Sequence, residues 1–387
     1  MTRKEFVKMC GVLGIGLPLQ ATFSSCKEDK VFTSPGKVLI VGAGAAGLTA
    51  AYQLNQRGIE FEILEASTVY GGRMRRNADF ADFPIPLGAE WLHVERGVFD
   101  EIVNDPTTQV AVETTPYDPE VDFGLFEGIE IGVEDIGFTI DQKFINASWF
   151  DFFEAYVVPS VRDKINYGKI IQSIDYSGDA VVVNTADEQF TADRVILTVP
   201  VKMLQNGAID FIPALPGNKA DAIANVTVWD GCKAFIEFSE KFYPTFVGFN
   251  IQPETAGQKL YYDASYGQNT SQHILGLFAV GTGTLPYVEL SDSALIDYML
   301  AELDEIFDRK ASATYVKHLF QNWNAEPFAN GAYVVDHENW RRVRTLGESV
   351  NNKLYFAGDA YTTGDDWSSV HTAARSAIRA VNEMLTN

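Results

Sequence analysis

Between Lys37 and Glu65 the chain reads KVLIVGAGAAGLTAAYQLNQRGIEFEILE, and no other stretch restricts the fold as strongly. An apolar run, Val38 to Val41, enters Gly42-x-Gly44-x-x-Gly47; an alanine-rich segment follows, and a second apolar run, Phe61 to Leu64, ends on Glu65. This predicts a strand, a tight turn, a helix and a second strand parallel to the first. Gly42 permits the turn, Gly44 lets backbone approach a pyrophosphate, and Gly47 lets the helix pack closely on the strand. Free amide groups at the helix start, around Ala45 and Ala46, favour phosphate charge. Glu65 stands close to the expected distance of about 20 residues downstream, where a carboxylate accepts hydrogen bonds from an adenosine ribose and disfavours a 2′-phosphate. The expected fold class is α/β with a Rossmann-like dinucleotide-binding domain, and NADP is not the expected ligand.

The 387 residues, 46% hydrophobic and 12% aromatic, suffice for a large core in two domains. A formal net charge of −22 argues against nucleic acid or an anionic membrane surface as partner. His93, His273, His318, His337 and His371 are scattered without ligand spacing, so no metal is expected, and no Cys or Ser elbow marks a nucleophile enzyme. Residues 1–26 read as an export signal: Arg3, Lys4 and Lys8 precede an apolar segment from Met9 to Phe23, too short and too broken by glycine and proline to span a membrane. Ser24 and Ser25 before Cys26 resemble a bacterial lipoprotein cleavage site, and the opening Thr2-Arg3-Lys4-x-Phe6 resembles a twin-arginine signal with lysine as the second basic residue. The expectation is an exported protein, periplasmic or anchored to a bacterial membrane by lipid on Cys26, with residues 27–35 as a polar linker. Processing would leave Cys232 alone, so no structural disulfide is expected in the mature chain.

After Glu65 come Gly71-Gly72-Arg73, which would bring a second backbone segment and a guanidinium onto the same pyrophosphate, and then Leu87-Gly88-Ala89-Glu90-Trp91-Leu92-His93. With these motifs the chain resembles the flavin-containing amine oxidases, the LGAEWLH segment being most similar to the polyamine-oxidase branch. The resemblance implies a discontinuous GR2-type FAD-binding domain with an inserted α+β substrate domain. The first motif would bind the ADP half of FAD, while Gly88, Ala89, Glu90 and Trp91 would lie beside the flavin and His93 at the substrate cavity. Further along, residues 169–200 read as a hairpin with a Ser-Gly-Asp turn followed by a buried parallel strand. This resembles the family's second FAD-binding segment, with Ile171 on the adenine side. Gly231-Cys232-Lys233-Ala234-Phe235 resembles the stretch bearing the family's active-site lysine, which implies that Lys233 holds a water against flavin N5. Without the resemblance, Lys233 reads as an ordinary edge-strand lysine.

Trp323-Asn324-x-Glu326-Pro327-x-x-x-Gly331-Ala332-Tyr333 resembles the family's W-x-x-[DE]-P-x-x-x-G-A-Y. Covalent members carry a cysteine in this neighbourhood, so Ala332 implies non-covalent FAD, and Tyr333 matches one wall of the aromatic cage. At the C-terminus Gly358 and Asp359 end a strand, and a helix begins near Ser369. There the resemblance implies that Asp359 binds the ribityl chain and that the helix start, with Ser369, Val370 and Ala373, points at the flavin. Val370 stands where monoamine oxidases have a second cage tyrosine, and Trp367 would line the cavity instead. The expected division is FAD-binding residues 36–92, 166–205 and 320–387 around substrate segments 93–165 and 206–319. The expected function is hydride transfer from the C–H beside an amine nitrogen to flavin N5, giving an imine, with reoxidation by oxygen or another acceptor and a small-molecule amine as substrate. The alternatives are an amino-acid oxidase or desaturase of the same superfamily, or an exported flavin-binding protein without amine turnover. For an amino acid, a carboxylate clamp is wanted, and only Arg162 stands out in the substrate segments.

Overall fold

The computed structural model describes residues 35–117, 123–126, 131–133, 141–249, 251, 256–335 and 339–386. The expected export signal, Cys26, the linker up to residue 34, most of the acid- and glycine-rich stretch 118–135, and His337 lie outside these residues.

Five parallel strands form the first sheet, in the order Leu354–Phe356, Arg194–Leu197, Val38–Val41, Phe61–Leu64, Ile165–Asn166. Segments distant in sequence thus meet in one sheet. Val38 and Ile40 pack into one apolar cluster while Leu39 and Val41 pack into another, so both faces are covered. This is why the strand reads as an unbroken apolar run. On the first face lie the helix Ala45–Gln56 and the C-terminal helix Val370–Thr386, whose small residues Ala50, Ala51, Ala374 and Ala377 are fully buried. The fold class read from the sequence is the one found.

Residues 173–175, 181–184 and 189–192 run antiparallel, and the parallel strand Arg194–Leu197 follows, as the sequence pattern predicts. A seven-stranded sheet has the order Tyr315–Asn322, Gly231–Phe238, His273–Gly281, Gly257–Asp263, Phe246–Phe249, Phe123–Phe126, Ile131–Val133. The last two strands pair as an antiparallel hairpin at the edge of this sheet. One face packs on the helix Asp292–Ile306 through Leu295, Met299 and Leu303. The other face presents Phe235, Leu260 and Tyr262 toward Phe80, Phe83 and Tyr117. Lys233 therefore sits in an interior strand, paired on both sides, and is no edge-strand lysine.

Ser148 caps the helix Trp149–Tyr156: its Oγ accepts from the Asp151 amide at 3.4 Å. Trp149, Phe152 and Phe153 on that helix are buried, and the Trp149 Nε1 donates to the Trp91 carbonyl at 3.1 Å, steadying the loop that carries the LGAEWLH motif.

Candidate active site

A single cavity of about 550 Å³ runs from the carboxyl ends of the parallel strands to the inner face of the seven-stranded sheet. That is where an open parallel sheet binds ligands. At one end Glu65, on the strand end expected from the spacing, accepts from the Ala43 amide at 2.6 Å and the Ser67 amide at 2.8 Å. Burial pushes its carboxyl above the usual range, against those two hydrogen bonds and the Arg75 charge. Two amides leave the carboxylate with further accepting capacity. Ile171 lines this end together with Val69 and Ile170, which the sequence reading passed over.

The glycines divide into two groups. Gly42 has φ +107°, and a Cβ on Gly47 would lie 1.9 Å from the Gly42 carbonyl oxygen, so both are required by the fold itself. Gly44 is different: its backbone is extended (φ −80°, ψ −171°) and a Cβ there meets nothing within 4 Å. Gly72, with Gly71 ahead of it, closes on the same spot, a Cβ on it lying 3.5 Å from the Gly44 Cα. Gly42, Gly44, Ala45, Ala46, Gly71 and Gly72 thus line one concave backbone surface that protein atoms leave open. Arg73 beside it bonds to the Asp359 carboxylate at 2.5 Å and to the Ala332 carbonyl. The structure thus brings these two expected cofactor contacts into one ion pair. Arg75 also lines the cavity, paired with Glu326 at 2.7 Å.

Further in, the LGAEWLH loop meets Lys233. The Lys233 Nζ donates to the carbonyls of Pro86 and Gly88, at 3.1 and 3.2 Å, and to Glu90 Oε2 at 2.6 Å. Glu90 also pairs with Lys143, whose Nζ lies 3.2 Å from Oε1, and accepts from the Tyr262 hydroxyl through Oε2. Lys143 in turn donates to the Asp263 and Ala264 carbonyls at 3.2 and 3.0 Å. All four side chains are buried. Burial acts to raise the Glu90 carboxyl, but Lys233 and Lys143 outweigh it and hold the group below the usual range. Glu90, expected among the cofactor contacts, thus commits both carboxylate oxygens to protein. Lys143 and Tyr262 carry no motif, and nothing in the sequence marks them.

The Trp91 ring packs on Tyr262 at 4.8 Å, and with Phe278 and Leu260 it forms an apolar wall. Tyr333 lines the cavity next to Trp229, ring centroids 6.4 Å apart. His93 faces the cavity and pairs through Nδ1 with Asp141 at 2.9 Å. Burial tends to lower its pKa, but the Asp141 hydrogen bond and charge, with Asp366 behind, leave it raised. Trp367, Ser369, Val370 and Ala373 lie together where the C-terminal helix begins, and Gly358 lines the same stretch. His371, buried at that helix start, pairs with Asp366 at 2.9 Å. Asp141 escaped sequence reading because a lone acid next to an acid-rich stretch looks like solvated surface. Arg162, with its guanidinium 5.8 Å over the Tyr70 ring, is not among the cavity-lining residues. Cys232 is free, and burial pushes its thiol up to about 12.

Comparison with known proteins agrees with this arrangement. The family described as flavin containing amine oxidoreductase matches residues 153–385, more than half of the chain, and the NAD(P)-binding Rossmann-like domain matches residues 40–104. Lysine-specific histone demethylase 1B of Mus musculus is 23% identical over 84% of this chain and 50% of its own length. Lysine-specific histone demethylase 2 of Homo sapiens is 24% identical over 93% of this chain, which spans 54% of that protein. The chain therefore spans about half the length of these two relatives. Probable polyamine oxidase 4 of Arabidopsis thaliana is 23% identical over 93% of this chain and 89% of its own. Among solved structures, putrescine oxidase bound to putrescine superposes with a TM-score of 0.71 at 15% identity, covering 91% of this chain and 99% of that one. Cyclohexylamine oxidase from Brevibacterium oxydans gives 0.72 at 14% identity over 90% and 98%. A flavin dinucleotide fits the residues present: Gly44 is a glycine that no protein neighbour demands, and Glu65 keeps accepting capacity at the far end of the same cavity. The cofactor is FAD, held non-covalently, and the chain belongs to the family of flavin-containing amine oxidoreductases.

Proposed function

We propose that this protein oxidises a small-molecule amine that carries more than one basic nitrogen. The observation that carries this reading is the cavity, in which the FAD cradle is continuous with an aromatic chamber that Asp141 also lines. Bound FAD would supply the hydride acceptor for the C–H bond beside the amine nitrogen, so that the amine would leave as an imine for water to hydrolyse, with oxygen or another acceptor taking up the electrons. The chain supplies the rest. Gly42, Gly44, Gly71 and Gly72 offer backbone to the pyrophosphate, Glu65 to the ribose, and the start of the C-terminal helix a positive dipole end to developing negative charge. Trp91, Phe278, Trp229 and Tyr333 exclude water and present ring faces to an amine. The polyamine oxidase and putrescine oxidase relatives support the substrate class, and the guanidinium groups lining the cavity, Arg73 and Arg75, are each paired with a carboxylate, which favours an amine over an amino acid.

Turnover with an amine deuterated at the carbon beside nitrogen tests the reaction. The expected result is aldehyde product with a primary isotope effect on flavin reduction; aldehyde formation with no isotope effect in single turnover would contradict C–H cleavage as the step the site is built for.

The His93–Asp141 pair gives a pH dependence. Below its raised pKa, His93 is charged and neutralises Asp141; above it, Asp141 faces the cavity as a net negative charge and attracts an ammonium group. The KM for a diamine is therefore expected to fall as pH rises through this ionisation, which lies above the ordinary histidine value of about 6.5. In Asp141→Asn that break moves to lower pH and binding weakens. A KM independent of pH in both proteins would remove His93 and Asp141 from the substrate site.

A further inference from the structure

The buried cluster around Lys233 has a donor arithmetic of its own. An ammonium has three donors and no acceptor, whereas a neutral amine has two donors and a lone pair. Lys233 Nζ meets three acceptors: the Pro86 and Gly88 carbonyls and Glu90 Oε2. Losing the proton would turn a nitrogen lone pair onto one of these oxygens in a buried site. The carboxylate is held from the other side, since the Lys143 ammonium pairs with Oε1 and the Tyr262 hydroxyl donates to Oε2. Lys143 is in turn tied to two backbone carbonyls, so it cannot swing in as a substitute for Lys233. The cluster joins four separate pieces of chain: the 86–90 loop, the strand Gln142–Phe144, the strand Gly231–Phe238 and the strand Gly257–Asp263.

We propose that Glu90 is a positioning residue which, clasped by Lys143 and Tyr262, keeps Lys233 protonated with every donor engaged by protein, so that Lys233 gives the cavity wall a fixed positive charge and takes no proton from the substrate. The groups that face Lys233 are Glu90, Lys143 and Tyr262, with Tyr117 beyond Trp91. Burial, the largest cause, and the like charge of Lys143 bring the Lys233 ammonium below the usual lysine range, and the charge and hydrogen bond of Glu90 are what oppose them. This inference rests on reading the cavity as a flavin site, but it does not require amine turnover.

The test is the flavin midpoint potential, measured by dye equilibration on FAD-loaded protein without amine from about pH 6 to about pH 9. A nearby cation favours the more negatively charged redox state, so wild type should lie above Lys233→Met. The two lines should run parallel, because the charge does not titrate. Lines that converge as pH rises would show Lys233 losing its proton and overturn the proposal. In Glu90→Gln the line should start near wild type at low pH and fall to that of Lys233→Met as pH rises, while Glu90→Asp should recover the parallel course. A Glu90→Gln line parallel to wild type throughout would assign no such role to Glu90. Should Glu90→Gln fail to fold, the wild-type and Lys233→Met pair still decides whether the charge is fixed. Failure of the wild-type chain to hold FAD would instead overturn the flavin reading.

Discussion

Gly44→Val is expected to lose FAD while the empty fold keeps its stability. The backbone at Gly44 is extended, a conformation that valine adopts without strain, and its Cβ would meet no protein atom within 4 Å. The Cβ itself therefore meets no obstacle in the protein, and the added side chain occupies the surface offered to the pyrophosphate. The affinity for FAD should fall at least about 100-fold, equivalent to about 2.7 kcal/mol, in a fluorescence-quenching titration of the apoprotein. Gly47→Ala provides the contrast. Its Cβ would lie 1.9 Å from the Gly42 carbonyl oxygen, so the helix must move off the strand and the apoprotein itself should melt at lower temperature. Undiminished FAD binding by Gly44→Val would show that the dinucleotide does not lie across this turn.

Glu90→Leu should produce the largest loss of stability of any single substitution in the cavity wall. Removing the carboxylate leaves Lys143 and Lys233 buried, close together and without a counter-charge. Breaking a buried ion pair from one side costs about 3–5 kcal/mol. The triple variant Glu90→Leu, Lys143→Met, Lys233→Met removes every charge and should recover much of that loss, because a packed apolar replacement of a buried ionic cluster is commonly neutral or stabilising. Chemical denaturation of the three proteins checks this directly. Equal stability of the single and triple variants would mean that the lysines are neutral when Glu90 is absent. Recovered stability without recovered flavin chemistry would separate what the cluster does for function from what it does for folding.

How much of this was readable in the chain follows from the range of the interactions involved. The βαβ unit announces itself because glycine spacing, strand and helix periodicity and the terminal acid all lie within Lys37 to Glu65, and each is a local requirement. Ser148 as a helix cap and the alternation of residues 181–192 are local in the same way. The Arg73–Asp359 pair joins residues 286 apart in sequence, and only the fold reveals that two expected cofactor contacts hold each other. Lys143 and Tyr262 are hidden more deeply: a lysine in a short strand and a tyrosine in an apolar one fit ordinary patterns, and their meaning comes from a carboxylate brought between them by the 86–90 loop. Asp141 stands beside an acid-rich stretch and becomes distinctive only when His93 is placed 2.9 Å away. The aromatic wall was partly legible through Tyr333 and Trp91, whereas Phe278 comes from a strand without a motif and Trp229 from the connection just before the strand Gly231–Phe238.

The central claim is that this cavity holds FAD and passes to it the electrons of an amine. The most direct measurement is the visible spectrum of the FAD-loaded protein during anaerobic titration with diamines, polyamines, monoamines and amino acids. The oxidised-flavin band is expected to bleach with amines, most readily with those carrying a second ammonium group, and to stay unchanged with amino acids. A bound flavin that dithionite bleaches and no amine does would contradict the central claim.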